Sequence, residues 1–234
     1  MKKANLFLTY KKIILIILFL FLLCISSCSL EGNNDLFSNA MQSIVELKCV
    51  DDSYESYGTA IYIGNNRYIT NCHVVTYNEI ESTITYDEYY IRTAYEETYH
   101  TASLIKYDIY KDLAILESHE NVCDKIIEFA KIDEIITGME VFAIGNTQNQ
   151  GLSMSMGIIS NSRIKITYSN ITMEMIASDA YISEGNSGGA LINRQGKLLG
   201  VTTLRLKDKL GNIIYGMGYA IPIDTVEQFI LDCS

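Results

Sequence analysis

The stretch Glu184-Gly185-Asn186-Ser187-Gly188-Gly189-Ala190-Leu191 places one serine among three glycines and leads directly into an apolar run. Glycine tolerates backbone angles that other residues avoid, so the stretch predicts a tight loop around Ser187. The apolar run continues through Ile192 and indicates a strand, whereas a nucleophile elbow leads from a strand into a helix. The segment therefore predicts an exposed serine at the head of a β-strand.

Short strand-like runs recur from Ser43 onward, separated by Gly, Asn and Asp residues. Many short strands with few helical stripes predict an all-β barrel or sandwich. Asn65-Asn66 and Arg194-Gln195-Gly196 are typical of hairpin turns. Pro222 precedes Asp224–Asp232, an amphipathic segment that predicts a closing helix. The predicted strands are Ile44–Cys49, Thr59–Ile63, Arg67–Thr70, Ser82–Tyr86, Leu113–Glu117, Glu140–Ile144, Met156–Ser160, Ile164–Tyr168, Ala190–Ile192, Leu198–Thr203 and Gly218–Ile221.

A histidine and an aspartate stand in two further motifs that suit a serine nucleophile. His73 follows Tyr68-Ile69-Thr70-Asn71-Cys72, and Asp112 opens Asp112-Leu113-Ala114-Ile115-Leu116. A serine hydroxyl is a weak nucleophile at neutral pH, so it needs a nearby base whose tautomer is fixed by a third group. His73 can act as general base and then as general acid, while Asp112 holds its Nδ1–H. The chain order His, Asp, Ser matches chymotrypsin-type triads and neither subtilisins nor α/β-hydrolases.

The loop around the serine also offers donors for a developing negative charge. Gly185 permits a turn in which the N–H groups of Gly185 and Ser187 point at one oxyanion. The predicted oxyanion hole therefore comprises Gly185, Asn186 and Ser187. The two remaining histidines, His100 and His119, stand in polar surroundings and are predicted to lie at the surface.

The chain resembles the trypsin-like peptidases of the HtrA (Deg) type over roughly Ser43 to Ile230. The resemblance implies an all-β fold of two six-stranded antiparallel β-barrels, chymotrypsin-like, with a short C-terminal helix and the active site in the cleft between the barrels. It also implies a serine endopeptidase that works through an acyl-enzyme, with His73, Asp112 and Ser187 as the triad. The motifs that carry the resemblance are Ile69–Val75, Asp112–Leu116, Val141–Asn146, Gly157–Ser160, Gly185–Gly189 and Gly218–Pro222.

By the same resemblance, a peptide substrate binds in extended form beside the enzyme's own backbone. The S1 pocket is expected to be lined by Ile182 and Leu206, which carry no charge, so small or medium apolar side chains are expected at P1. Tyr181 is predicted near the pocket floor, and Glu184 is the alternative determinant because it could turn inward and accept a basic side chain. The predicted substrate-binding residues are Ile182, Thr202, Thr203, Leu204 and Leu206.

Asn186 and two departures from the family pattern carry expectations of their own. Asn186 stands where secreted digestive proteases have an aspartate that pairs with a newly cut N-terminus, so activation by such a cut is not expected. Cys72 replaces the asparagine that is more usual before the histidine. Family members often carry a PDZ domain after the protease, and the sequence ends at Ser234, so PDZ-dependent substrate capture is not expected within this chain.

The N-terminal residues resemble an export signal. Residues 1–27 contain four lysines, no acid and an apolar run of 13 residues, Ile13–Ile25. This run is shorter than the ~20 residues that span a bilayer, although a retained anchor remains the alternative. Ile25-Ser26-Ser27-Cys28 resembles a bacterial lipobox, which implies cleavage before Cys28 and lipid on that residue. The predicted organisation is a lipoprotein signal peptide at 1–27, a tether at 28–40 and a protease domain at 41–234, with barrels at about 41–122 and about 135–234.

Charge and cysteine usage narrow the partners. Without the four lysines of residues 1–27, 14 basic residues face 28 acidic ones, a formal net charge of −14. Such a surface repels nucleic acid and anionic headgroups, so no nucleic-acid binding is expected and lipid must provide the anchoring. No CxxC or paired Cys/His spacing suggests zinc, and neither a metal nor a cofactor is expected. Four cysteines remain after the lipobox, namely Cys49, Cys72, Cys123 and Cys233. Four cysteines allow three disulfide pairings, and the sequence does not choose among them.

The expected partners are protein or peptide substrates, including unfolded ones, and the membrane through lipid on Cys28; a homo-oligomer remains open. The expected location is the bacterial cell envelope. Two alternatives to a constitutive enzyme stay open at this point. One is a non-enzymatic surface lipoprotein that uses a protease fold for binding, and the other is a latent protease that needs activation.

Overall fold

The computed structural model describes residues 12–18, 33–79, 82–168, 171–207 and 213–233. Two units can be distinguished, Met1–Asp35 and Leu36–Ser234. In the first, residues 12–18 are helical with exposed side chains. Within the described part of the chain, no helix has the length and apolar character needed to cross a bilayer. The predicted lipidation site Cys28 lies outside the described residues.

Helix α1 (Asn33–Met41) overlaps the end of the segment predicted as a tether. Leu36 and Phe37 pack against the hydrophobic core, and Ala40 and Met41 are buried in it. A helix this short is stabilised mainly by such tertiary burial rather than by propensity. The apolar spacing of this segment therefore makes it part of the folded unit from Leu36 onward.

The first barrel closes six antiparallel strands in the order β1-β2-β3-β8-β7-β6. Asn65 and Asn66 join β2 to β3 with φ angles of 54° and 57°, which confirms the predicted hairpin turn. A separate two-stranded sheet pairs β4 with β5. The strands are β1 (Ile44–Val50), β2 (Glu55–Gly64), β3 (Arg67–Thr70), β4 (Thr76–Glu79), β5 (Ser82–Thr85), β6 (Glu88–Arg92), β7 (His100–Asp108) and β8 (Leu113–Ser118), with helix α2 (Cys72–Val75) between β3 and β4.

The second barrel closes the remaining strands in the order β10-β11-β14-β13-β12-β9. Two predicted strands, Met156–Ser160 and Ile164–Tyr168, belong to one strand of 17 residues, β10, whose pairing with β11 shifts register on either side of Asn161. These bulges bend the strand without ending it. The strands are β9 (Glu140–Asn146), β10 (Leu152–Tyr168), β11 (Ile171–Ser178), β12 (Ala190–Ile192), β13 (Leu198–Lys207) and β14 (Ile213–Pro222).

Helix α3 (Ile223–Leu231) follows Pro222 and closes the fold, so the predicted class is confirmed: all-β, with two six-stranded barrels and a short C-terminal helix. Phe229 of this helix is fully buried. The ammonium groups of Lys106 and Lys111, from the first barrel, lie 4.8 and 5.8 Å from its ring centroid. Cation–π contact and burial thus attach the helix to the first barrel.

The four cysteines of the described chain are free thiols, so none of the three possible disulfide pairings is formed. Cys49, Cys72 and Cys123 are buried, and Cys233 is partly exposed. The barrels are therefore held by apolar packing and strand pairing rather than by cross-links.

Candidate active site

His73 and Asp112 lie in contact because two neighbouring strands deliver them to the same place. His73 sits in α2 directly after β3, and Asp112 precedes β8, with Thr70 of β3 paired to Ala114 of β8. His73 Nδ1 is 2.9 Å from both carboxylate oxygens of Asp112. A carboxylate only accepts, so the neutral imidazole carries its proton on Nδ1 and leaves a lone pair on Nε2.

The Asp112 carboxylate is fixed by further donors. The backbone N–H of His73 donates to Oδ1 at 3.0 Å, and the hydroxyl of Thr203 donates to Oδ2 at 2.6 Å. Asp112 itself has a left-handed φ of 52°, and the Asn71 side chain donates to its carbonyl oxygen at 2.9 Å. Aspartate tolerates this conformation better than most residues, which explains its place between loop and strand.

The protonation of His73 is set by two opposing effects. Burial lowers the pKa of the imidazole, but the charge of Asp112 and its hydrogen bond raise it by more, so the pKa lies above the ordinary value of 6.5. The side chain is still 45% exposed. A substrate can therefore reach an imidazole whose protonated form Asp112 stabilises.

Ser187 lies on the second barrel, at the loop before β12. Its Oγ donates to the carbonyl oxygen of Thr203 at 3.1 Å, and within the described residues His73 Nε2 has no hydrogen-bond partner. The serine–histidine hydrogen bond is thus not formed in this structure. In unliganded hydrolases such bonds are often long or misaligned and form only when substrate binds.

The residues before Ser187 form a tight turn with two unused donors. Gly185 has a φ of 87°, and a Cβ there would overlap the carbonyl oxygen of Asn146. The N–H groups of Gly185 and Ser187 donate to no other described residue, whereas the N–H of Asn186 donates to Ser183 O at 3.0 Å. Of the predicted oxyanion-hole residues, Gly185 and Ser187 therefore offer free donors, and Asn186 does not.

Side chains of the first barrel hold this turn in place. The Thr59 hydroxyl donates to Gly185 O at 2.8 Å, and the Thr59 N–H donates to Ser187 O at 2.9 Å. Asn71 Oδ1 accepts the N–H of Gly188 at 2.7 Å. Sequence reasoning missed both residues. Asn71 stands in the quoted histidine motif and could have been noticed there, but nothing local links Thr59 to a loop more than 120 residues away.

The chain is similar to known proteases. Residues 58–201 match the trypsin-like peptidase domain. The chain belongs to that family. The Do-like serine protease HtrB of Bacillus subtilis strain 168 is 35% identical over 144 residues, which cover 59% of this chain and 31% of that protein. The serine endoprotease DegS of Haemophilus influenzae is 40% identical over 130 residues, covering 55% and 38%.

Two HtrA-type proteases are similar to this chain over more than four fifths of its length. The Do-like protease HtrA of B. subtilis is 28% identical over 213 residues, which cover 87% of this chain and 44% of that protein. The HtrA-type protease AlgW, solved with a tripeptide, superposes with a TM-score of 0.73 at 27% identity, covering 86% of this chain and 63% of that one. The resemblance to the HtrA type is confirmed, and the chain spans less than half the length of these curated relatives.

A more distant structure shares the fold. The active form of the Rv3671c protease from M. tuberculosis superposes with a TM-score of 0.75 at 20% identity, and the match covers 88% of this chain and 87% of that one. This protease thus has the same fold as the two barrels of this chain.

In this trypsin-like peptidase, two of the predicted substrate-binding side chains are engaged internally. The Thr202 hydroxyl donates to Asn186 O at 2.6 Å, and Thr203 donates to Asp112 as described above. Both side chains are buried. They support the Ser187 loop and the Asp112 carboxylate.

The predicted S1 residues are placed in part. Ile182 is buried, and a Cβ on Gly218 of β14 would lie only 2.6 Å from its Cδ1, so the isoleucine fills the space above that glycine. Tyr181 is 52% exposed rather than enclosed at a pocket floor. Glu184 is exposed as well. The side chains of Leu204 and Leu206 lie outside the described residues.

Cys72, next to His73, is not a competing nucleophile. Its thiol is buried and lies 3.7 Å from the Thr76 hydroxyl, and burial raises its pKa to about 11. The reactive thiolate is therefore scarce at neutral pH. No group of three or more metal-ligating side chains occurs within the described parts of the chain.

The pairing of His73 with Asp112 predicts the direction of a titration. The pKa of His73, followed by NMR of its ring protons, should lie above 6.5 in the wild type. In Asp112→Asn it should fall, because burial remains and the attracting charge is lost. The same interaction stabilises the fold at low pH, and this contribution is lost as the pH rises through the folded pKa.

Asp108→Asn is the matched control: Asp108 ends β7, four residues before Asp112, its Oδ1 accepts from the backbone N–H groups of Tyr110 and Lys111, and its Oδ2 lies 3.9 Å from Lys111 Nζ. Its His73 titration should stay close to that of the wild type. Equal pKa values for His73 in the wild type and in Asp112→Asn would contradict the pairing.

Proposed function

We propose that the protein is a serine endopeptidase with His73, Asp112 and Ser187 as its triad. The observation that carries the proposal is the hydrogen bond between His73 Nδ1 and the Asp112 carboxylate beside a turn with two unused N–H donors. A base with a fixed tautomer and a site for an oxyanion are what acyl transfer from a peptide requires.

The reaction begins when the Ser187 hydroxyl leaves the carbonyl oxygen of Thr203 and donates to His73 Nε2. Ser187 Oγ attacks the peptide carbonyl carbon while its proton passes to His73 Nε2, and the carbonyl oxygen becomes an oxyanion that accepts from the N–H groups of Gly185 and Ser187. Asp112 stabilises the imidazolium. His73 then protonates the leaving nitrogen as the C–N bond breaks, which leaves an acyl-enzyme. Water, deprotonated by His73, attacks the ester and releases Ser187 with its proton restored.

Features of the site favour this proposal over the two alternatives. A non-enzymatic binder has no need of the aligned His73–Asp112 pair with its additional Thr203 donor. A latent protease would need its turn ordered by a partner, whereas here the hydrogen bonds of Thr59 and Thr202 already hold the turn. The first observation supports an enzyme, and the second supports an active-site turn that is ordered without a partner.

Ser187→Ala should abolish proteolysis while leaving the fold intact, because the hydroxyl makes one hydrogen bond to a carbonyl oxygen. We expect kcat on casein to fall about 10⁴- to 10⁶-fold. An active-site phosphonate should label the wild type and not this variant. Ser160→Ala, at an exposed serine of β10, is the control and should retain activity and labelling. Full casein cleavage by Ser187→Ala, or failure of the phosphonate to label the wild type, would reject the assignment.

We further propose protein or peptide substrates with small or medium apolar side chains at P1. Ile182 over Gly218 narrows the expected pocket and adds no charge. Burying a Lys or Arg there without a carboxylate would cost several kcal/mol. Profiling with a peptide library should therefore show Val or Ala at P1, and the profile of Glu184→Gln should be the same. Dominant Arg or Lys at P1, lost in Glu184→Gln, would assign specificity to Glu184 instead.

An envelope location with a lipid anchor is proposed for the whole protein. Several relatives are named probable periplasmic serine endoproteases, from Buchnera aphidicola and Rickettsia conorii, which supports export. The signal peptide at 1–27 and lipid on Cys28 rest on the sequence pattern of the N-terminus. Two or more acyl chains hold a protein on a membrane far more firmly than one does.

Cys28→Ser should move the protein from the membrane fraction to the soluble fraction, because lipidation needs that thiol and the acidic surface offers no substitute. Fractionation followed by immunoblotting measures the change. Cys24→Ser, four residues earlier in the apolar run, is the control and should stay with the membranes. A processed Cys28→Ser protein that still sediments with membranes would refute the lipid anchor.

A further inference from the structure

The side chain of Asn186 is buried inside the turn that carries the free N–H groups. It is 3% exposed, and its Oδ1 accepts a hydrogen bond from the hydroxyl of Thr147 at 2.8 Å. Thr147 opens the short 3₁₀ turn Thr147–Asn149, which follows β9. The triad and the oxyanion donors do not include Thr147, so its contact with the turn calls for its own explanation.

The hydrogen bonds at Thr147 run in one direction. An amide oxygen only accepts, so the Thr147 hydroxyl donates its one hydrogen to Asn186 Oδ1. Ser153 Oγ lies 2.6 Å from Thr147 Oγ1 and donates to it, because its other acceptor, the Gly145 carbonyl oxygen, is 3.5 Å away. Ser153 is an exposed residue near the start of β10. Two hydroxyl groups thus link the surface to the buried amide.

The neighbouring residue of the same 3₁₀ turn holds the peptide that contains the first oxyanion donor. The Gln148 N–H donates to Glu184 O at 2.8 Å. Glu184 C=O and Gly185 N–H belong to one planar peptide group and point in opposite directions. Holding the carbonyl therefore aims the Gly185 N–H away from Gln148, towards the side where it has no partner.

The direction of the second donor, the Ser187 N–H, is fixed in the same way by hydrogen bonds to the carbonyl oxygen of its peptide group. Asn186 C=O shares a peptide plane with the Ser187 N–H, and this carbonyl accepts from the Thr202 hydroxyl at 2.6 Å and from the Gly189 N–H at 2.9 Å. The peptide group between Gly185 and Asn186 joins the two planes that carry the donors, and Asn186 forms one end of it. Its side chain is the point at which Thr147 can hold both.

The Thr147–Asn149 turn also needs an anchor of its own. Gln148 and Asn149 have φ angles of 53° and 56°, and two successive left-handed residues without glycine are energetically unfavourable. The hydrogen bond from Thr147 to Asn186 ties the start of this turn to the loop it supports. Without it, Gln148 could relax and release the Glu184 carbonyl.

We propose that Thr147 is a positioning residue that keeps the Gly185 and Ser187 N–H groups aimed at one oxyanion by holding the Asn186 side chain. The proposal rests on the proposed endopeptidase function. It assigns to a neutral hydroxyl, supported by Ser153, the task of keeping the oxyanion hole formed before substrate arrives.

Thr147→Val tests the proposal, because valine keeps the shape of threonine and removes the hydroxyl. The kcat on a peptide substrate should fall about 10- to 100-fold, less than the 10²- to 10³-fold that loss of a donor itself costs. KM should change little, because the donors act mainly on the transition state. A peptide aldehyde, whose adduct with Ser187 places an oxyanion in the hole, should lose affinity by a similar factor. Thr147→Ser retains the hydroxyl and should restore both values.

Thr167→Val is the matched control. Thr167 lies near the end of β10 and shares a 2.9 Å hydrogen bond with the Thr172 hydroxyl at an exposed position, so the same substitution should leave kcat and aldehyde affinity unchanged. Thermal unfolding of each variant identifies the temperatures at which it is folded. If Thr147→Val does not fold, Ser153→Ala replaces it, and a few-fold fall in kcat at constant KM is expected.

The outcomes separate the proposal from the function on which it rests. If the wild type cleaves and Thr147→Val, or its replacement Ser153→Ala, matches it in kcat and aldehyde affinity, the positioning role is wrong and the endopeptidase stands. A fall in kcat that Thr147→Ser does not restore would also overturn it, since a loss of packing alone would then explain the result. If the wild type cleaves no faster than Ser187→Ala, both proposals fail together.

Discussion

The turn that carries Ser187 is held from the opposite barrel. Thr59 donates from its hydroxyl to Gly185 O and from its backbone N–H to Ser187 O. Asn71 Oδ1 accepts a hydrogen bond from the N–H of Gly188. Asn71 also donates to the carbonyl of Asp112. One asparagine thereby fixes the distance between the aspartate and the serine loop. These few hydrogen bonds set the geometry of the site, while the hydrophobic core shared by the two barrels supports their relative placement.

These hydrogen bonds are made by neutral groups in buried positions. Thr59, Thr70, Asn71, Asn146 and Thr202 are all buried, and each has a hydrogen-bond partner. Burying an unpaired polar group costs about 1–3 kcal/mol, and an unpaired charge costs far more. Amides and hydroxyls can therefore orient a loop in the interior without the desolvation that an ion pair would require. The charge in this network is confined to Asp112, where the imidazolium of the reaction needs it.

How much of this could be predicted from the sequence depended on whether the information was local. His73, Asp112 and Ser187 stand in short motifs with adjoining strands, so their places were predictable. Strands β4, β6, β7 and β11 were not predicted. In β7 only Ala102 is buried among the alternate positions, which leaves no clear apolar period. In β11 the apolar Ile171, Met173 and Met175 alternate with polar residues, so that signal was present in the sequence and was missed. Thr59 and Thr147 act through contacts with residues far away in the chain. A single sequence carries no sign of such contacts, because they arise only when the barrels close.

The buried thiols of the first barrel have a consequence for how its opening can be observed. Burial raises the pKa of Cys72 to about 11 and that of Cys123 to about 12, and it raises the pKa of Cys49 further still. Alkylating reagents attack the thiolate, so they encounter almost none while the barrel is closed. The rate at which these three cysteines become alkylated is then a measure of how often the barrel opens. The native sequence thus already contains the reporters for a local-stability measurement.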